Sequence, residues 1–370
     1  MERIRVLVVD DSAFMRKVIS DILSGDPAIE VIDRARNGLE CLEKVKQLHP
    51  DVVTLDIEMP VMNGLEALEQ LMKHTPVPVV MLSSLTKEGA DATIRALECG
   101  AIDFVSKPSG PISLDMHKVA DGIIERVKTA AQMKNKLRKP PVTRPHPVRE
   151  RVPMPTEQTG TVDSQPAWQS PTNIRGTKTN TQKLVAIGTS TGGPRALQTV
   201  LTSIPSDFPA PIVIVQHMPA GFTKSLAQRL DTLCSIRVTE AENGQTIEPG
   251  TAYIAPGGYH FEVQQENGRL CARLHQQEPR GGHRPSVDVL FESLSRLSNV
   301  EKWAIIMTGM GSDGTKGLKQ MKEMGPVTAI VEDESTCVVY GMPRAAAQAG
   351  LADNVVPLDQ IAGTLCKLLN

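Results

Sequence analysis

The sequence predicts an α/β protein of two doubly wound, mainly parallel-sheet domains joined by a flexible linker. Three observations carry this expectation. Short β-branched and aliphatic runs alternate with stretches of helical period over residues 1–125. The same alternation restarts near residue 181 and continues to residue 370. Between the two, over 126–180, it gives way to prolines and basic residues that forbid regular structure. A chain of 370 residues is long enough to bury two separate cores.

In the first domain, Ile4–Val9 is a continuous apolar run, as expected of a strand covered on both faces. Ser12–Leu23 has apolar residues at 14, 15, 18, 19, 22 and 23, a helical period. Further strands are expected at Glu30–Ala35, Val52–Leu55, Val77–Leu82 and Ala101–Val105, with helices at 38–48, 64–73, 88–98 and from about 115. In such a sheet the site lies at the carboxyl ends of the strands. Asp10 and Asp11 end the first strand, Asp56 the third and Ser83 the fourth, and Lys107 follows the fifth. Converging carboxylates repel one another unless a hard cation sits among them, and Mg²⁺ with oxygen ligands suits the set. A lysine and a hydroxyl facing three carboxylates make a site for a phosphoryl group.

Val8-Val9-Asp10-Asp11-Ser12, Leu55 through Gly64 and Val105-Ser106-Lys107-Pro108 together resemble the receiver domain of two-component response regulators. The resemblance implies a flavodoxin-like fold in which Asp56 accepts a phosphoryl group from a histidine kinase. It implies that Asp11, Asp56 and the Glu58 carbonyl bind Mg²⁺, assisted by Asp10. Ser83 and Lys107 would meet the phosphoryl oxygens, and Phe104 would stand at an aromatic switch position. Phosphorylation adds about −1.5 to −2 charges and three acceptor oxygens, enough to draw those groups inward.

The stretch 126–180 is basic in its first half, where residues 134–151 carry Lys134, Lys136, Arg138, Lys139, Arg144, Arg149 and Arg151 against the single acid Glu150. We read it as a mobile linker. A basic run can also hold nucleic acid, but no DNA-binding motif accompanies it, and 3% aromatic content supplies no base-stacking platform. Trp168 is unusual in such company and suggests docking on a domain surface.

The second domain opens with a strand over Lys183–Ile187 that runs into Gly188-Thr189-Ser190-Thr191-Gly192-Gly193-Pro194 and then a helix. A serine on a strand-to-helix turn faces the N–H groups of the helix start, which suits a nucleophile and also a phosphate loop. Strands are expected at Ile212–Val215, Thr251–Ala255, Trp303–Met307 and Val327–Val331, and helices at Phe222–Leu230, Val287–Leu297 and Thr315–Met324. His217 and Asp313 stand just past two of those strands. A serine hydroxyl needs a base, histidine can take and return its proton, and a carboxylate on the other ring nitrogen fixes the tautomer. The order Ser…His…Asp differs from that of α/β-hydrolases. Against this reading, Gly309-Met310-Gly311-Ser312-Asp313-Gly314 matches a dinucleotide-binding loop, with Glu332 and Asp333 about where a ribose-binding acid belongs. Asp313 is then an anion where a pyrophosphate should sit.

Gly188 through Gly193, Val215-Gln216-His217-Met218-Pro219, Ala255 through His260, Arg284-Pro285-Ser286-Val287-Asp288 and Met307 through Gly314 resemble the catalytic domain of the chemotaxis protein-glutamate methylesterases. The resemblance implies a Rossmann-like domain that hydrolyses glutamate methyl esters on chemoreceptor helices, and in many members deamidates receptor glutamines. It implies Ser190 as nucleophile, His217 as base, Asp313 as its partner, and backbone N–H groups of Met310 and Thr191 as oxyanion donors. No cofactor is expected in this half. His260 and His283 are candidates for the substrate groove or plain loop residues. A receiver packed over the site would block a receptor helix. A receiver-switched adaptor without catalysis remains the non-enzymatic alternative. Six scattered cysteines, Cys41, Cys99, Cys234, Cys271, Cys337 and Cys366, fit reduced thiols. With a net charge of −2, no signal-like start and no membrane-length apolar run, we expect a cytoplasmic monomer without membrane insertion.

Overall fold

The computed structural model describes residues 3–107, 116–134 and 182–369. The first sheet holds β1 (Ile4–Val9), β2 (Ile29–Ala35), β3 (Val52–Asp56), β4 (Val79–Ser83) and β5 (Asp103–Ser106) in the order β2-β1-β3-β4-β5, all parallel. The helices are α1 (Ala13–Ser24), α2 (Gly38–Leu48), α3 (Gly64–His74), α4 (Lys87–Cys99) and α5 (Met116–Gln132). Period-two alternation sorts the strand residues onto two faces. Leu7, Val9, Leu55 and Met81 pack with Leu68, Leu71 and Ile94, while Val6, Val8, Val52 and Val80 pack with Ile19, Leu23 and Ile123. Side-chain caps start the helices. Ser12, Asn37, Asn63 and Thr86 each accept from a first-turn N–H, and Asn63 closes a capping box with Glu66.

The boundary expected after residue 125 falls inside α5. Val127, Ala130 and Met133 continue its buried stripe, and Lys128 and Lys134 pair with Asp26 and Asp51. Basic residues hid that stripe, because here they are held by acids of the same domain. The rest of the expected linker, with Trp168, lies outside the described residues.

The second sheet is seven-stranded and wholly parallel, in the order β14-β13-β12-β6-β7-β9-β8. Its strands are β6 (Gln182–Thr189), β7 (Ile212–Gln216), β8 (Arg237–Glu240), β9 (Thr251–Ile254), β12 (Val300–Ile306), β13 (Thr328–Glu332) and β14 (Asn354–Val356). An antiparallel hairpin, β10 (His260–Glu266) with β11 (Arg269–His275), lies outside this sheet. The helices are α6 (Gly193–Leu201), α7 (Phe222–Asp231), α8 (Val287–Ser295), α9 (Thr315–Met324), α10 (Met342–Gln348) and α11 (Leu358–Leu369). One face packs on α8, α9 and the hairpin through Leu290, Phe291, Leu318, Phe261 and Val263, and the other on α6, α7 and α11 through Leu197, Phe222 and Leu365. The chain winds outward in both directions from β6, so β6 and β12 flank the switch point where such sheets open a crevice. Register puts Ile306, Gly188 and Val215 side by side, which brings the loops after β12, β6 and β7 together.

The two domains touch through α4, which packs against α6 and α7. Phe104 stacks on Phe222 with ring centroids 4.6 Å apart. Glu98 and Arg229 form a two-pronged ion pair at 2.8 and 3.1 Å.

Candidate active site and phosphoacceptor site

Ser190 stands one residue past β6. Its N–H donates to the Thr308 carbonyl at 3.0 Å, and its own carbonyl accepts from Gly193 N at 2.8 Å. Gly192 makes the turn at φ 79°, and Pro194 sits in the first turn of α6, where no N–H is needed. His217, one residue past β7, bonds through Nε2 to Asp313 Oδ2 at 2.8 Å, with both side chains more than nine-tenths buried. Its Nδ1 is buried without a hydrogen-bond partner. Asp313 also accepts from Ser286 Oγ at 2.9 Å and from the N–H groups of Val287 and Asp288 at 2.7 and 2.9 Å, the start of α8. Burial alone would raise its pKa. The His217 bond and charge and the helix N–H groups outweigh that and hold the carboxyl at about 2.

Asp288 anchors this anchor. Its Oδ1 accepts from Gly314 N and Gly317 N at 2.9 and 2.8 Å, which ties the start of α9 to the start of α8. His283 stacks on His217 at 3.9 Å with ring planes 9° apart. Burial, then the neighbouring His217, pushes His283 down to about 4, so it stays neutral beside the base. A pocket of about 290 Å³ is lined by Ser190, Thr191, His217, His283 and Met310, and by Glu125 and Arg126 of α5. The structure thus gathers Ser190, Thr191, His217, Met310 and Asp313 in one place and closes the His–Asp half of the constellation. Among the described residues, Ser190 Oγ and His217 are not hydrogen-bonded to each other; such bonds often tighten only with substrate bound. His260 does not line this pocket; it is 1% exposed and bonds the Glu278 carbonyl.

The dinucleotide reading fails on the same geometry. Asp313 is consumed by His217 and α8. Glu332 is fully buried, accepting from Thr308 N at 2.8 Å and Thr336 Oγ1 at 3.1 Å, and is closed to a ribose.

In the first domain the carboxylate oxygens of Asp10, Asp11 and Asp56 lie within 4.8 Å of one another. Lys107 Nζ reaches Asp10 at 2.9 Å and Asp56 at 2.7 Å. One lysine cannot neutralise three carboxylates, and burial pushes Asp56 up to about 6 despite the Lys107 pair. Burial opposes the charge on Lys107, but its two carboxylate partners prevail and its pKa is raised. An oxygen-only, over-acidic cluster of this kind fits a hard divalent cation. Glu58 is exposed, and its carboxylate is outside the cluster. Gly64 carries the Asp56 loop, because a Cβ there would fall 2.0 Å from the Asp56 carbonyl. Ser83 is fully buried and turned into α4, donating to the Gly89 carbonyl at 3.1 Å and accepting from Thr93 Oγ1 at 2.7 Å.

The sequence singles out Thr191 and Met310 but not Asp103, Arg126 and Thr129, which meet them across the domain joint at the pocket. Thr191 Oγ1 donates to Asp103 Oδ2 at 2.6 Å, Arg126 Nε lies 3.5 Å from the same oxygen, and Thr129 Oγ1 donates to Met310 Sδ at 3.0 Å. Sequence reading also missed Ser286, although a serine opening a helix two residues before an aspartate is a readable signal.

The CheB methylesterase family profile matches residues 185–365, and the response regulator receiver domain profile matches 6–117. The protein-glutamate methylesterase/protein-glutamine glutaminase of Geobacillus kaustophilus is 55% identical over 369 residues, covering 100% of this chain and 99% of its own. This chain belongs to that family. The same-named protein of Halalkalibacterium halodurans is 53% identical over 365 residues, with 99% and 98% covered. A crystal structure of the Thermotoga maritima CheB methylesterase catalytic domain aligns at 45% identity and TM-score 0.49, covering 50% of this chain and 98% of that one. Family membership makes the chain a methylesterase-type hydrolase with a receiver domain, not a non-catalytic adaptor. No helix among the described residues is long and apolar enough to cross a membrane.

Proposed function

We propose that Ser190, His217 and Asp313 hydrolyse glutamate methyl esters on chemoreceptor cytoplasmic helices, and deamidate receptor glutamines by the same route. The observation that carries this is the 2.8 Å His217–Asp313 bond, anchored by α8, at the pocket that also holds Ser190. Ser190 Oγ attacks the ester carbonyl while its proton passes to His217 Nδ1, the nitrogen not held by Asp313. The tetrahedral adduct collapses as His217 returns that proton to the departing methoxide, which leaves as methanol, or as ammonia from an amide. Water then attacks the glutamyl ester with His217 again as base, releasing glutamate and restoring Ser190. Thr191 N and Met310 N make no hydrogen bond among the described residues, whereas Ser190 N is spent on Thr308. That leaves the first two for the oxyanion, at about 3–4 kcal/mol of barrier per donor.

A histidine kinase phosphorylates Asp56 in this reading. Asp10, Asp11, Asp56 and the Glu58 carbonyl would hold Mg²⁺, which when bound offsets negative charge at the phosphoryl oxygens. Lys107 and Ser83 turn to meet the new charge. Ser83 must leave the base of α4 to do so, and Phe104 on the neighbouring strand must loosen from Phe222. The contacts from Asp103, Arg126 and Thr129 then release Thr191 and Met310 and open the pocket to a receptor helix. The test is methanol release from methylated receptor with and without a small phosphodonor. Wild type should be stimulated and Ser190→Ala should release none; a Ser190→Ala protein that still releases methanol overturns the assignment.

A further inference from the structure

Gln216 is the last residue of β7, only 2% exposed, and the chemistry above makes no use of it. Its Nε2 donates to the Ser190 carbonyl at 3.0 Å and to the His217 carbonyl at 3.2 Å. Its Oε1 is buried without a hydrogen-bond partner, a defect that an apolar side chain of the same size would not carry. The opposite loop is shaped around this group. A Cβ on Gly193 would lie 2.0 Å from Gln216 Oε1 and 2.5 Å from Thr189 Oγ1, so the first residue of α6 is bare where the carboxamide crosses.

Its place in the sheet gives the contact meaning. The bond from His217 N to the Thr189 carbonyl, 3.2 Å, is the last backbone link between β6 and β7. Beyond it the two chains diverge, one into the nucleophile loop and the other into the base loop. Gln216 Nε2 is the next link, and it joins the backbone of the nucleophile to the backbone of the base. From the far side the Thr308 carbonyl holds Ser190 by accepting the Ser190 N–H. Gly193 N also serves the Ser190 carbonyl, so removing Gln216 leaves that oxygen partnered and changes position more than stability.

We propose that Gln216 is a positioning residue that sets the spacing between Ser190 and His217 by bridging their two carbonyls. This rests on the Ser190–His217–Asp313 reading. Because the Ser190–His217 bond is unmade in this structure, loop spacing decides whether a side-chain rotation alone can close it.

The experiment compares phosphodonor-activated, full-length wild type with Gln216→Met, which keeps the volume and loses the donor, and Gln216→Glu, which puts an acceptor before two carbonyls. The rate is expressed per serine that labels to completion with a fluorophosphonate, so unfolded protein does not count. Both variants should lose about tenfold or more in kcat with KM within about twofold, and the labelling rate should fall in parallel. The Gly193→Ala and Gln216→Ala losses should combine to less than their product in the double variant, since both break one bridge. Wild-type kcat in Gln216→Met or Gln216→Glu, or a loss confined to KM, overturns the bridge. Ser190→Ala run alongside separates the two failures. If it is inactive while Gln216→Met is normal, only the bridge falls; if it is active, the underlying triad reading falls.

Discussion

Against the burial that would neutralise it, Asp313 keeps its charge through the bond and charge of His217 and then through the N–H groups of Asp288 and Val287. Asp313→Asn should keep the fold and lower kcat by about a thousand- to ten-thousand-fold, through the wrong imidazole tautomer; steady-state kinetics with a circular dichroism control checks this. With its pKa held at about 2, Asp313 contributes no limb to the rate profile above pH 4. His283 behaves in the opposite way. Its folded pKa of about 4 lies below the ordinary 6.5, so the native state binds fewer protons than the unfolded chain in between. Stability is therefore full above about pH 6.5 and falls as pH drops toward 4. His283→Gln should flatten that part of the thermal-denaturation curve against pH; an unchanged slope would contradict the assignment. The catalytic types and their strand-end positions were legible, because strand ends are where a parallel sheet gathers its chemistry. The His217–His283 stack was not, since it depends on a loop that no periodicity describes.

Gly188 shows how one strand and one helix hold the site. A Cβ there would fall 2.3 Å from Val287 Cγ1, and Val287 N is a donor to Asp313. Gly188→Ala should cost about 1–3 kcal/mol by overpacking, measured by urea denaturation, and should lower kcat as α8 is pushed from Asp313. The long buried strands were easy to read because both faces are covered and the runs are continuously apolar. The short strands β8 and β14 gave too little pattern. The β10–β11 hairpin was missed despite a usable signal: Asn267-Gly268, both at positive φ, sits between Phe261 and Val263 on one side and Leu270 and Ala272 on the other. Its alternation is short, because Gln265 falls where the apolar face of Phe261 and Val263 should continue and is exposed instead.

At the scale of the whole molecule, the domain order was legible and the face that joins them was not. Asp103 and Thr191 are 88 positions apart, and neither belongs to a motif that names the other. Surface ion pairs are worth about 0.2–1 kcal/mol, yet Glu98–Arg229 spans the joint, so reversing one charge should loosen it. Arg229→Glu should raise basal activity without phosphodonor about two- to fivefold, and Glu98→Arg added to it should restore the low basal rate. An unchanged basal rate in Arg229→Glu would mean that this face does not restrain the enzyme. Every step of the proposed regulation requires that Ser190 be the nucleophile and that the receiver govern its reach. The most direct measurement is the rate at which a fluorophosphonate labels the full-length protein, read by peptide mass spectrometry. Labelling should fall on Ser190 and accelerate with a small phosphodonor in wild type but not in Asp56→Asn. Labelling at another residue, or a Ser190 rate indifferent to the phosphodonor, would contradict the proposed regulation.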